Sequence, residues 1–105
     1  MAPAVDSVPY TCSVKPGPFA RCDRVQTAPG ETVTVQVGES GTVTRGDFRA
    51  VSRYTGETLG TVRDVTPSSG SVVIWHNDTG SSVLVDVLAA SPDDGRIDGL
   101  VSAGP

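Results

Sequence analysis

Apolar and polar residues alternate along much of the chain with a period of two, the spacing of a strand with one buried face. Thr32-Val33-Thr34-Val35-Gln36-Val37 is the cleanest stretch, with three valines on one side and Thr32, Thr34 and Gln36 on the other. Gly38-Glu39-Ser40-Gly41 and Thr42-Val43-Thr44-Arg45 follow it, which predicts a first hairpin. A second hairpin pairs residues 48–53 with 57–65 about Tyr54-Thr55-Gly56, and a third pairs 71–76 with 82–88 about 77–81. Gly56 and Gly80 are expected to be left-handed, each closing a type I turn.

Side-chain pairing then fixes the registers. In the second hairpin Arg53 faces Glu57, Asp47 faces Arg63, Phe48 lies beside Val62 and Ala50 beside Gly60. A slip of one residue would set Phe48 against Arg63. In the third, Trp75 faces Val83 and Val73 faces Val85, so these residues and Val87 make one apolar face. Ile74, Leu84 and Leu88 fall on the other, where a second sheet, the C-terminal segment or a partner must cover them. The inverted assignment would make Trp75 an exposed anchor near Tyr54; the clean alternation around Val83 and Val85 favours burial.

Two further strands, 8–14 and 21–26, bracket Cys12 and Cys22, and Pro9 restricts the first to an edge or to its opening residue. The fold expected is all-β: a small antiparallel β-sandwich or open barrel of six to eight short strands, of immunoglobulin-like or Greek-key type, with no significant helix. At 105 residues the chain makes one domain, with a flexible N-terminus over 1–7 and a turn-rich tail over 90–105 that holds at most a short strand at Leu100-Val101. Composition agrees. Val supplies 17 of the apolar residues and aromatics only five, beside eleven Thr, eleven Ser and twelve Gly.

A formal charge of -4 provides no cationic surface for phosphates, so nucleic acid is not an expected partner. No apolar run is long enough to span a bilayer. Cys12 and Cys22 stand ten positions apart around Lys15-Pro16-Gly17-Pro18, which predicts a disulfide across a hairpin-like loop. No third soft ligand accompanies them for zinc. A disulfide implies export, and Met1-Ala2-Pro3-Ala4 then reads as a mature end behind a restored start Met. Seven Arg against the single Lys15 suggests a GC-rich bacterial genome.

Catalysis has little to draw on. His76 is the only histidine, no nucleophile elbow is present, and neither a catalytic residue, a cofactor nor a metal is expected. Asp93, Asp94 and Asp98 surround Gly95, but they lack the spacing and distal Glu of a calcium loop and read as a solvated turn. Asn77-Asp78-Thr79 matches a glycosylation acceptor that its turn position already explains. Arg45-Gly46-Asp47 is the integrin tripeptide, but Asp47 is engaged with Arg63 in the expected register.

Ser52-Arg53-Tyr54, opening a turn, resembles the Trp-Arg-Tyr turn of the small bacterial α-amylase inhibitors of the tendamistat type, with Ser where the Trp would stand. This chain has one Cys pair where that family has two, so no activity is carried over. The function expected is that of a secreted, non-catalytic protein that binds a protein partner, inhibition of an extracellular hydrolase being its specific form. The binding element is a rigid loop, Lys15, Pro16, Gly17, Pro18 and Phe19, with the turn Arg53, Tyr54 and Thr55 second. Two alternatives stand beside it: an assembly subunit that buries a second sheet face in an oligomer, and an accessory carbohydrate-binding sandwich that presents an aromatic platform.

Overall fold

A computed structural model describes residues 6–104. Eight strands form, β1 (Asp6–Val14), β2 (Ala20–Thr27), β3 (Thr32–Val37), β4 (Gly46–Ser52), β5 (Thr58–Val65), β6 (Val72–His76), β7 (Val83–Ala90) and β8 (Gly95–Gly104), with one 3-10 turn at Pro67–Ser69. They divide into two antiparallel four-stranded sheets, ordered β1-β8-β3-β6 and β2-β7-β4-β5. This is the strand order of a jelly roll, a double Greek key in which the chain passes repeatedly from one sheet to the other. The all-β sandwich expected from the alternation is thus the observed architecture, and Pro9 lies on an edge strand as its missing N–H requires.

The core is a layer of β-branched side chains between the sheets. Val33, Val35, Val37, Ile97 and Val101 from the first meet Phe48, Ala50, Val85, Val87 and Ala89 from the second. Tyr10 reaches across β8 at Gly99, its register partner, and donates its hydroxyl to the Gln36 carbonyl at 3.0 Å while its ring meets Phe48 edge-on. Burial, and secondarily the Asp98 carboxylate, push the Tyr10 phenol well above its ordinary value of 10.0. The raised value means that folding holds Tyr10 neutral, so its contribution is full below about pH 10 and declines as pH rises beyond the unfolded value. An ultraviolet pH titration is expected to show the Tyr10 phenolate only together with alkaline unfolding, and Tyr10→Phe is expected to flatten that stability loss.

Only the second expected hairpin forms. β4 pairs with β5, with Phe48 opposite Val62 and Ala50 opposite Gly60, as side-chain pairing predicts. Its tip differs: Ser52 and Glu57 close a four-residue loop, and a bulge in the register beyond Ala50 takes Arg53 out of its pairing with Glu57. The first hairpin does not form, because β3 bonds to β8 and β6 and residues 42–45 carry the chain over to the opposite sheet, with Val43 buried on the way. The third does not form either. β6 joins β3 in one sheet and β7 joins β2 and β4 in the other, so Trp75 pairs with Val33 and not with Val83.

Face assignments change accordingly. A register shift in the β3–β6 ladder turns Ile74 inward and leaves Val73 55% exposed, while Trp75 is half-buried against the core. Leu84 and Leu88 lie on the outward face of the second sheet, half-buried between polar neighbours. The segment expected to be turn-rich over 90–105 contains the longest strand, β8, in the interior of its sheet; Asp6 and Ser7, expected to be flexible, begin β1. Residues 1–5 lie outside the described residues.

Candidate functional site

Cys12 and Cys22 are bonded, with their Cα atoms 5.2 Å apart, but they do not close a hairpin. β1 is an edge of the first sheet and β2 an edge of the second, so the disulfide staples the two sheets together along one open side of the sandwich. Residues 15–19 therefore span from one sheet to the other above a covalent joint. The loop is held at three further points. Gly17 takes φ +100, a left-handed conformation suited to glycine; the Lys15 carbonyl accepts the Ser91 N–H at 3.4 Å; and the Phe19 ring lies against the Arg49 guanidinium at 4.1 Å. Cleavage of the bridge is expected to cost about 2.5–3 kcal/mol by the loop-entropy relation, read as a lower urea midpoint of Cys12→Ser/Cys22→Ser against the oxidised protein.

The loop forms one wall of an open cleft of about 440 Å³. Pro16, Gly17 and Phe19 face Arg45, Asp47, Arg63 and Asp64 across it, and Ala90, Ser91 and Pro92 make the floor. The charged wall is organised by the backbone. Asp64, the only non-glycine residue with positive φ among those described, takes φ 58, and its N–H donates to Asp47 Oδ1 at 2.8 Å. Asp47 also meets Arg63 at 3.6 Å, as the β4–β5 register predicts. Arg45 stands between Asp64 and Asp93, each at 3.8 Å, long contacts on exposed groups that contribute little stability. On the floor, buried Ser91 donates to the Arg45 carbonyl at 2.7 Å and accepts from the Asp93 N–H. On the loop's other side, Lys15, Pro18 and Phe19 border a smaller, more apolar hollow.

The two sequence-predicted binding elements are not brought together. Arg53, Tyr54 and Thr55 cap the opposite end of β4, where Tyr54 is 82% exposed. Arg45-Gly46-Asp47 is no free loop, since β4 begins at Gly46 and Asp47 is occupied. Asn77 is fully buried and its amide nitrogen donates to the Thr27 and Ser81 carbonyls, a geometry that leaves no room for a glycan. Asp98 lies on β8 and Asp93 beside Arg45, so the acidic run does not converge on one point. His76 is exposed, its Nδ1 at 2.8 Å from Thr32 Oγ1. The aromatic residues do not share a face: Tyr10 and Phe48 are buried, Trp75 and Phe19 half-buried, and Tyr54 stands alone.

Sequence reasoning missed Asp64 and Ser91 and read Arg45 only as part of the integrin tripeptide; the three reach the cleft because the start of β4 and the ends of β5 and β7 lie together at one end of the second sheet. Phe19, a lone apolar residue in a polar loop, was the legible signal. No family model, curated protein or solved structure matches this chain.

Proposed function

We propose that this protein is a secreted, non-catalytic binding protein that engages a protein partner through residues 15–19 and the cleft they border, with an extracellular hydrolase as the target it inhibits. The observation that carries this reading is the double anchorage of the loop, covalently across both sheets and by the Phe19–Arg49 stack. A loop ordered before binding loses less entropy when it docks. The disulfide supports an oxidising compartment, and an open cleft lined by prolines and alternating charges suits a polypeptide surface.

Titration into a panel of secreted proteases and glycosidases is expected to abolish the activity of one of them at one-to-one stoichiometry. Pro16→Gly/Pro18→Gly is expected to weaken that inhibition at least tenfold while lowering stability by no more than about 2 kcal/mol, since both prolines are exposed and their loss acts through the unfolded chain alone. Inhibition by the loop variant equal to that of the parent contradicts the reading. So does a turnover by the protein itself that vanishes in His76→Ala. A second reading, an assembly subunit, draws support from the outward face of the first sheet, where Thr34, Gln36 and Ser102 surround exposed Val73 and Leu100. A mass by light scattering that rises with concentration favours it.

A further inference from the structure

The outward face of the second sheet carries one row of residues in direct register: Arg21 on β2, Leu88 on β7 and Arg49 on β4. Register partners in adjacent strands project to the same face, so two guanidinium groups flank one leucine, their Cα atoms about 10 Å apart. Three other arginines on or beside this sheet are matched, Arg24 with Asp86 at 2.7 Å, Arg63 with Asp47, and Arg45 with Asp64 and Asp93, while Arg53 follows β4 in the turn at the far end of the sheet, outside this row. Among the described residues neither Arg21 nor Arg49 has a carboxylate within salt-bridge distance. Arg49 is also set in place before any ligand arrives. The Phe19 ring covers it, and its Nε is buried without a hydrogen-bond partner, so it meets a ligand only through its terminal nitrogens.

We propose that Arg21 and Arg49 anchor an acidic segment of the protein partner, one carboxylate on each guanidinium and an aliphatic side chain on Leu88 between them. The inference rests on the reading of the protein as a protein-binding module and gives the partner its chemistry. Charge and register together select the place: a chain of net charge -4 repels a carboxylate-bearing partner except at unmatched arginines, and of Arg21, Arg49, Arg53 and Arg96, which lack a carboxylate partner among the described residues, only Arg21 and Arg49 stand in one register row. Guanidinium forks match carboxylates in two parallel hydrogen bonds. Position links the two surfaces, because Phe19 borders the cleft on one side and stacks on Arg49 on the other.

The probe is the end-blocked pentapeptide Glu-Ser-Leu-Ser-Glu, which in extended form presents both carboxylates and the leucine on one face. Titrated into the oxidised protein and followed by nitrogen-15 NMR, it is expected to shift the Arg21 and Arg49 side-chain N–H signals and the Leu88 amide at millimolar concentration. Arg21→Gln and Arg49→Gln are each expected to weaken binding at least fivefold, with spectra that report the fold directly; Gln-Ser-Leu-Ser-Gln is expected not to bind. No shift at these residues, equal binding of the Gln peptide, or binding of trigalacturonate in place of the peptide overturns the proposal. If the peptide fails while Pro16→Gly/Pro18→Gly still loses its hydrolase, this surface is wrong and the loop reading stands. If the peptide binds and no loop variant affects inhibition, the reverse holds.

Discussion

Asn77→Ala is expected to destabilise the protein by about 3–5 kcal/mol, among the largest effects of any single side-chain truncation. Asn77 is fully buried where the crossing from β6 to β7 meets the one from β2 to β3. Its side chain uses its full capacity: the amide nitrogen donates to Thr27 O at 3.0 Å and Ser81 O at 2.8 Å, and Oδ1 accepts from the Thr79 N–H and hydroxyl. Its backbone adds two bonds, to the Glu31 carbonyl and from the Gly30 N–H. Alanine strips four partners at once, and the Thr27 carbonyl among them is buried away from water. At about 4–8 °C per kcal/mol the change lowers Tm by at least 10 °C or so, measurable by calorimetry. Asn77→Asp, which sets a carboxylate against two carbonyls, is expected to be no milder, while exposed Asp78→Ala stays within about 1 kcal/mol. An Asn77→Ala protein as stable as the parent removes this residue from its role in holding the two crossings together.

Gly60→Val is expected to cost about 3 kcal/mol or more, for a reason on the other side of the sandwich. There the edge strands β5 and β6 of the two sheets pack together, and a Cβ on Gly60 would meet the Ile74 carbonyl and the Trp75 side chain. Backbone cannot move aside as a flexible side chain can. The two sheets would part along the side that the disulfide does not hold. Gly56→Val is the control, since Gly56 has open space around it and only its φ of +75 to lose, a cost of about 1–2 kcal/mol. Urea midpoints in the reverse order contradict the packing of β5 against β6.

The contrast between Asn77 and Gly56 marks what was legible in the sequence. Period-two alternation identified most strands, and Gly56 and Gly80 are left-handed as turn chemistry required. Pairing was another matter. A Gly-containing turn that reverses the chain within a sheet and one that carries it to the facing sheet have similar local sequences, so 38–45 and 77–81 read as hairpins. The strand partners are long-range, and no single sequence states that β8 inserts between β1 and β3. β8 itself was hidden by its glycines: Ile97, Gly99, Val101 and Ala103 share the inward face, and Gly99 leaves that face open for Tyr10. Of the candidate site, the disulfide and the loop were readable from Cys spacing and prolines. The opposing wall was not, because Arg45, Asp64 and Ser91 meet only after both sheets are built.

That loop is the centre of the account, and its order is open to direct measurement. Nitrogen-15 relaxation on the oxidised protein is expected to give residues 15–19 order parameters near the rigid value of about 0.85, comparable with the flanking strands, the proline positions being read through their neighbours. In folded Cys12→Ser/Cys22→Ser the same amides are expected to fall below about 0.6 while β4 and β7 keep theirs. A loop that is mobile with the bridge intact, or equally rigid without it, contradicts the claim that the staple between the sheets prepares this surface for binding.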